Sequence, residues 1–362
     1  MPEDRTKAVE TTQTKAAKPG ASLLSRITAG QGSWNMLLMA LIVIEFVVFG
    51  AVNPKFLRPQ LFFTSLNDSL PVFIISIAVT FVMITGGIDI QVASLVGLTS
   101  IIIGVAWQDW GFSIWGAILL AIVVVVACGA FSGFLIAYCR VQAMVVTLGG
   151  SFLYSGLALI VSTMSSTESY QGISGFPDAF KFLGGYKFFD VFPLQMAIYL
   201  LLLVIAFILL NKSKYGRKVI LSGTNPRAAE YSGINTRLTI MSTYMLSAFA
   251  AAIAGILLTS YLGTAKSDLG SDLTMDIITA VVLGGTLVTG GRGSVIGVAL
   301  ASFAIGLVRF GMPLCFKVST QYLDIPIGIL LIVIIVGRSA ASNTSVGTRL
   351  HSLFAGKVTS KA

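Results

Sequence analysis

The chain of 362 residues is too apolar for a soluble protein, because its mean hydropathy is +0.89 and 55% of its residues are hydrophobic. Only 11% of its residues are charged, whereas soluble domains carry about 25%. No zinc-finger or RNA-binding signature accompanies the net charge of +9, so we assign the basic excess to cytoplasmic loops of a membrane protein and expect no nucleic acid as a partner.

Residues 1–33 are polar and basic, which predicts a cytoplasmic N-terminal tail rather than a signal peptide. Ten apolar runs follow, each near the roughly 20 residues that a membrane-spanning helix needs. They cover residues 34–52, 68–85, 90–107, 112–138, 144–164, 191–211, 238–262, 273–289, 294–312 and 322–338. The sequence therefore predicts an all-α integral membrane protein, a bundle of about ten transmembrane helices within residues 34–338, and a cytoplasmic C-terminal tail at 339–362.

Two pairs of runs are so close together that a broken or re-entrant helix is an alternative to two full spans. Gly86 to Asp89 separate the second and third runs, and the eighth and ninth meet between 289 and 294. The tripeptide Thr-Gly-Gly occurs at both places, at 85–87 and 289–291. Transporters often contain repeats whose interrupted helices meet near the substrate, but 37 glycines also allow a chance recurrence.

Lysine and arginine are unequally divided between the two sides of the predicted bundle. With the N-terminus inside, 17 of the 24 basic residues lie on the inner side and 7 on the outer side. Positive charge is enriched in cytoplasmic loops. We therefore expect both termini and the central 211–237 loop in the cytoplasm, and an outer face built from 165–190 and 263–273 that can receive another protein.

Six polar residues in or beside the predicted spans are candidates for the translocation pathway, because such side chains are costly in a membrane and mark function by default. They are Asn67, Asp68, Thr85, Asp89, Ser94 and Asp276. Structural alternatives are a helix cap for Asp89, a helix-dipole partner for Asp276, and hydroxyls bonded to backbone carbonyls. One histidine and three cysteines without metal-ligand spacing favour no catalytic, cofactor-binding or metal site.

The central loop, 211–237, contains a short predicted helix. Asn225 is a candidate N-cap before Pro226 at the first helical position, and Gly233 offers a stop. Such a helix outside the membrane is either a connector or a docking device. The GxxxxGK[ST] phosphate-binding pattern is absent from the sequence, so ATP hydrolysis by that route needs a separate partner.

Four stretches and the ten predicted spans resemble the sugar-type permease family of bacterial ABC importers, which includes the ribose and xylose permeases. The stretches are GGIDI (86–90), GTNPRAAEYSGI (223–234), DLG (268–270) and AVVLGGTLVTGGRGS (280–294). The spacing Ala228-Ala229-x-x-x-Gly233 is similar to the EAA loop of ABC importer permeases, with Arg227 where that motif has glutamate. The resemblance extends over residues 40–338, so the tails lie outside it.

This resemblance implies the ABC importer permease fold and a non-catalytic subunit of the bacterial inner membrane. It implies two permease subunits that form one translocation path for the solute, cytoplasmic ATPases that hydrolyse ATP, and a periplasmic substrate-binding protein. It also implies that this chain binds no cofactor. The central loop would supply a coupling helix to the ATPase. The coupling residues would be Asn225, Pro226, Arg227, Ala228, Ala229, Glu230 and Gly233.

A finer likeness concerns the solute. The stretches IEFVVFGAVNPKFL (44–57), GISGFPDAF (172–180) and SYLGTAKSDLG (260–270) resemble the autoinducer-2 import permeases within the family. They imply import of a small polyhydroxylated solute, with the quorum-sensing molecule autoinducer-2 as the expected one and a related but distinct second permease. Ribose, rhamnose or another monosaccharide are alternative solutes, and a stand-alone secondary carrier is an alternative mechanism.

Overall fold

The computed structural model of the protein describes residues 31–168, 171–319, 322–329 and 331–333, which are mostly helical. The helices are α1 (Gln31–Val52), α2 (Pro59–Asn67), α3 (Leu70–Ile84), α4 (Val92–Gln108), α5 (Ile114–Ala137), α6 (Ala143–Ser162), α7 (Asp178–Gly185), α8 (Leu194–Asn211), α9 (Lys214–Thr224), α10 (Pro226–Tyr231), α11 (Thr236–Leu262), α12 (Leu273–Leu283), α13 (Val295–Phe316) and α14 (Asp324–Val333). Residues 1–30 of the predicted N-terminal tail and the predicted C-terminal tail, 339–362, lie outside the described residues.

Six helices of the described chain are long and apolar enough to cross a membrane, namely α1, α5, α6, α8, α11 and α13. The pair α2–α3 passes the same test as one span bent by 53°. The remaining predicted runs correspond to the shorter apolar helices α4, α12 and α14. The all-α membrane bundle is thus confirmed, and the count of ten is approximate because α4 and α12 are shorter than a full span and only residues up to 333 of the 322–338 run are described.

The two closely spaced pairs of runs are both interrupted. Helix α3 is buried along its whole length and ends at Ile84, and α4 begins only at Val92. Helix α12 has 11 residues, about 16 Å at 1.5 Å per residue, roughly half of a bilayer core. The Thr274 hydroxyl donates to the Ile90 carbonyl at 3.4 Å, so the N-terminal ends of α4 and α12 lie beside each other.

Helix α11 packs through the middle of the bundle against α3, α4, α5 and α7. Its closest neighbour is α5, where Gly129 and Gly133 face the Tyr244 and Met241 backbone. A Cβ atom at Gly133 would lie 2.9 Å from the Met241 carbonyl oxygen. Small residues permit such close backbone approach, which is how membrane helices associate without a hydrophobic driving force between them.

The two ends of the bundle differ in structure. At one end, called the α10 end, α9 and α10 connect α8 to α11. At the opposite α7 end, strand β1 (Ile173–Ser174) pairs antiparallel with β4 (Thr264–Ala265). A second pair, β2 (Lys187–Phe188) with β3 (Phe192–Pro193), follows α7. The β1–β4 pair joins the 165–190 and 263–273 loops into one surface.

Candidate functional site

Helix α10 begins as the local sequence predicts. The Asn225 side chain accepts a hydrogen bond from the Ala228 backbone N–H at 3.0 Å, and Pro226 occupies the first turn. An N-cap side chain satisfies a donor that the first helical turn leaves unpaired, and proline there loses no hydrogen bond. Asn225 is also the C-cap of α9, so the two helices are joined through a single residue.

The C-terminal end of α10 is closed by a Schellman motif. Gly233 has a φ of +79°, a left-handed conformation that glycine adopts without steric cost. The Ile234 N–H donates to the Ala229 carbonyl at 3.0 Å, and the Gly233 N–H donates to the Glu230 carbonyl at 2.9 Å. This pair of bonds satisfies the last carbonyls of the helix. A six-residue helix is thereby held at both ends.

The side chains of α10 are mostly available to a partner. Ala229 is buried, whereas Pro226, Arg227, Ala228, Glu230 and Tyr231 are exposed, as are Asn225 and Gly233. The Thr236 hydroxyl donates to a Glu230 carboxylate oxygen at 2.7 Å, which ties α10 to the first turn of α11. Arg227, at the position of the motif glutamate, lies on the exposed surface.

Sequence reasoning missed Tyr231, whose side chain is 94% exposed at the end of α10. The available signal was an aromatic residue within the 223–234 stretch, since tyrosine is enriched where protein partners bind. Beside α10, a cavity of about 330 Å³ is lined by Tyr138, Glu230, Asn235 and Arg237, among others. Together, α10 and this cavity form a rigid, exposed polar and aromatic surface at the α10 end.

The six pathway candidates lie in different surroundings. Asn67 is buried and Asp68 exposed at the α7 end, with the Tyr261 phenol in hydrogen-bonding reach of both. The Thr85 hydroxyl donates to the Val82 carbonyl at 2.7 Å, the backbone bond that was one of its alternatives. Ser94 lies 3.0 Å from the Ser151 hydroxyl and accepts from Ser155 at 2.9 Å, between α4 and α6.

Asp89 is fully buried in a polar cluster that we call the Asp89 cluster, made of Asp89, Gln91, Ser132, Tyr154, Tyr244 and Ser247. The Ser132 hydroxyl donates to the Gln91 amide oxygen at 2.7 Å. The Ser247 hydroxyl and the Gln91 backbone N–H are near the Asp89 carboxylate, but neither its oxygens nor the Tyr244 hydroxyl has a hydrogen-bond partner among the described residues. Buried polar groups of this kind are normally satisfied by ordered water or by a ligand.

Asp276 is paired with Arg309, which was one of the seven basic residues counted on the outer side of the predicted bundle. Arg309 of α13 contacts both carboxylate oxygens of Asp276 at 2.7 Å, and it also contacts Asp324 at 3.1 Å. Arg309 therefore lies within a spanning helix rather than in a loop, and its charge does not bear on topology. The pairing gives the Asp276 carboxylate an opposite charge. Asp276 also lies in the first turn of α12, where a negative charge suits the helix dipole.

A cleft of about 620 Å³ opens at the α7 end. Its polar lining includes Lys266, Asp268, Ser271 and Asp272, and its apolar lining includes Leu258. Asp272 is the N-cap of α12, so the cleft leads to the start of that half-length helix. A mixed polar and apolar cleft of this volume is suited to a small polar molecule.

Comparison with known proteins identifies the class of membrane protein. A family model described as the permease component of branched-chain amino acid transport systems matches residues 61–335. The autoinducer 2 import system permease protein LsrD of Escherichia coli K12 is 40% identical over 308 residues, which cover 85% of this chain and 92% of LsrD. LsrD of Shigella flexneri matches equally, and LsrD of Escherichia coli O157:H7 is 39% identical over the same shares.

No solved structure matches the chain. The family model and the LsrD proteins nevertheless extend over most of the sequence, including the interrupted helices and α10. This chain therefore belongs to the sugar-type permease family of bacterial ABC importers, as its motifs predicted, and it is a membrane-spanning permease.

Proposed function

We propose that the chain imports autoinducer-2, a small polyhydroxylated solute, as one permease subunit of an ATP-driven importer. The observation that carries this proposal is 40% identity to the autoinducer 2 import permease LsrD over 85% of the chain. The cleft lined by Lys266, Asp268, Ser271 and Asp272 supports it, since such side chains donate and accept hydrogen bonds as sugar-like hydroxyls require.

The orientation of the bundle in the membrane is inferred from the position of its basic residues. The basic residues Lys212, Lys214, Arg217 and Lys218 precede α10 and flank the end of α8, and basic residues near the ends of spans favour the cytoplasmic side. The α10 end would therefore face the cytoplasm of a bacterium, and both tails would lie on that side. The α7 end would face the periplasm across the inner membrane.

Each end of the bundle then has a partner. Helix α10 would dock on a cytoplasmic ATPase through its exposed residues, because its closed ends make it a rigid contact. These residues are Asn225, Pro226, Arg227, Ala228, Glu230 and Gly233, and the buried Ala229 would lie beneath the contact. The surface joined by β1 and β4 would receive a periplasmic binding protein that delivers the solute. The chain would bind no cofactor, and a separate subunit would hydrolyse ATP.

The solute path would run between this chain and a second, related permease subunit. Asp68 is exposed and Ser94 half-buried, so they are the pathway candidates a passing solute would reach without rearrangement. Asn67, Thr85 and Asp89 would become accessible only when the bundle changes shape. For Asp276 the ion pair with Arg309 favours a structural role.

Solute identity is tested by transport competition. The complete importer, reconstituted with ATP, should take up labelled autoinducer-2, and unlabelled autoinducer-2 should compete far better than ribose or rhamnose. If ribose or rhamnose competed better than unlabelled autoinducer-2, that monosaccharide would be identified as the transported solute. Uptake by this chain alone, without ATP or partners, would instead indicate a secondary carrier.

A further inference from the structure

Three segments distant in sequence meet at one backbone carbonyl at the α10 end. The Ile84 carbonyl, in the last turn of α3, accepts a hydrogen bond from the Gly291 N–H at 2.8 Å. The same oxygen also lies against α9 at Gly223. We call this contact of Ile84, Gly223 and Gly291 the glycine joint. The last carbonyls of a helix have no partner within it. The Ile84 carbonyl oxygen can therefore accept a hydrogen bond from Gly291 and also contact Gly223.

The joint leaves no space for a side chain at position 223. A Cβ atom there would lie 2.8 Å from the Gly291 nitrogen and still closer to the Ile84 carbonyl oxygen. Both obstacles are backbone atoms of ordered segments, so neither yields by rotation of a side chain. Glycine at 223 is therefore required by the close approach of α9 to the end of α3.

The two Thr-Gly-Gly segments meet at the same place. A Cβ atom at Gly290 would lie 2.9 Å from the Gly86 nitrogen. The Thr224 hydroxyl, next to Gly223, donates to the Ile220 carbonyl at 2.8 Å and lies 3.5 Å from the Gly291 carbonyl oxygen. A Cβ atom at Gly291 would lie 2.8 Å from the Thr224 hydroxyl oxygen. The first segment begins the interruption between α3 and α4, and the second lies between α12 and α13. The joint thus contacts both interrupted regions.

Helix α10 follows the joint without a flexible linker. Thr224 ends α9, and the next residue, Asn225, caps both α9 and α10. Helix α9 is itself fixed to α11, since the Tyr215 and Ser242 hydroxyls lie 2.8 Å apart. Packed elements of this kind move as units rather than bending continuously. A displacement of α10 would therefore reach the two Thr-Gly-Gly segments through backbone contacts.

We propose that Gly223 is a positioning residue for transport, and that the glycine joint transmits movement of α10 to the interrupted helix pairs α3–α4 and α12–α13. This inference rests on the proposed function, in which α10 docks on the ATPase. Gly223 itself would touch neither solute nor ATPase. Its role would be to let α9 press on the end of α3 and on the 289–291 turn.

The decisive variant is Gly223→Ala in the complete importer, with Gly149→Ala as the matched control. Gly149 also lies in a helix, but a Cβ atom there would meet no atom of the described residues within 4 Å. In Gly223→Ala we expect the ATPase to co-purify normally and the ratio of ATP hydrolysed to solute imported to rise about tenfold. Gly149→Ala should leave the ratio unchanged. An assembled Gly223→Ala complex with the wild-type ratio would overturn the inference.

A milder pair of variants decides the case in which Gly223→Ala does not assemble. Thr224→Ala removes a side chain from the joint without adding bulk, and Thr224→Ser keeps the hydroxyl. The ratio should rise about twofold to threefold in Thr224→Ala and return to the wild-type value in Thr224→Ser. Equal ratios in wild type and Thr224→Ala would overturn the inference.

Hydrogen exchange tests the joint separately from transport. In the permease without partners, the Gly291 amide should be protected by its bond to Ile84, and Gly223→Ala should raise its exchange rate at least about tenfold. Unchanged protection would contradict the joint. Absence of ATP-dependent uptake by the wild-type importer, combined with a protected Gly291 amide, would contradict the proposed function and not the joint.

Discussion

Arg309 is held within the bundle by two carboxylates whose surroundings differ. The Asp276 side chain is 7% exposed, whereas the Asp324 side chain is 81% exposed. A buried ion pair is not strongly stabilising overall, but removal of one partner leaves the other charge buried and unpaired. An exposed pair contributes little because water solvates both groups. The two contacts of one guanidinium should therefore respond differently to substitution.

We expect Arg309→Met to destabilise the protein by about 3–5 kcal/mol, since it leaves Asp276 without its cation. The control Asp324→Asn should cost about 0–1 kcal/mol, because that contact is exposed to water. Thermal unfolding in detergent measures both effects. Equal, small losses in the two variants would show that Asp276 does not depend on Arg309.

Asp109 follows α4 at the α7 end and fixes the start of the 165–190 loop. Slight burial acts to raise the pKa of Asp109, but hydrogen bonds from the Ser166 hydroxyl, the Ser166 backbone N–H and the Ser165 hydroxyl outweigh it and hold the pKa below its usual value of 3.8. A carboxyl with a lowered pKa in the folded state stabilises above its unfolded pKa, and that stabilisation is lost as the pH falls through the folded pKa.

The attachment of this loop should therefore persist at neutral pH and weaken only below about pH 4. The protection factor of the Ser166 amide, which donates to Asp109 at 3.0 Å, measures this by hydrogen exchange. In Asp109→Asn the protection should be lower at neutral pH and should not depend on pH in the acid range. A wild-type protection factor that is constant down to about pH 2 would contradict the role of Asp109.

At the scale of single elements, α10 presents an exposed aromatic side chain beside polar ones. If α10 docks on an ATPase, Tyr231 is the side chain best suited to become buried in the partner, because tyrosines dominate the binding energy of many interfaces. We expect Tyr231→Ala to weaken ATPase binding by at least about 2 kcal/mol, roughly thirtyfold in affinity.

The matched control for Tyr231→Ala is Phe189→Ala. Phe189 is 96% exposed and Tyr231 is 94% exposed, but Phe189 lies at the α7 end. Truncation of Phe189 should therefore leave the ATPase affinity unchanged. Affinity can be measured by titrating labelled ATPase onto the permease in detergent or nanodiscs. Equal affinities for wild type and Tyr231→Ala would exclude the exposed end of α10 as the main contact.

The elements that the sequence predicts well are those with local signals. The start and stop of α10 were predicted from Asn225, Pro226 and Gly233, because caps and turns depend on neighbouring residues. The interruption after α3 was an open alternative because two glycines and an acid divide two apolar runs. The irregular backbone conformation from Thr85 to Gln91 could be seen only in the structure.

Contacts between distant segments were beyond sequence reasoning. Asp276 and Arg309 are 33 residues apart in sequence. Ile84 and Gly291 are hydrogen-bonded although the whole central part of the sequence lies between them. Hydrophobic periodicity reports which face of an element is buried, but it does not identify the partner. For that reason the residues of the Asp89 cluster other than Asp89, and the role of Gly223, could not be predicted from one sequence.

At the scale of the whole molecule, the bundle has an exposed rigid helix at one end and a cleft with a small sheet at the other. The interrupted helices α4 and α12 meet between these ends. This arrangement suits a permease that receives solute at the α7 end and an ATP-driven movement at the α10 end. The sequence lacks a phosphate-binding loop of the GxxxxGK[ST] type, and the proposed function assigns ATP hydrolysis to a separate subunit.

The most direct measurement is solute uptake into proteoliposomes by the complete importer, with and without ATP and with and without the ATPase subunit. We expect autoinducer-2 uptake when all subunits and ATP are present, and only background uptake when either the ATPase or ATP is omitted. If this permease alone, without ATP, took up as much autoinducer-2 as the complete importer does with ATP, the chain would not be one subunit of an ATP-driven importer.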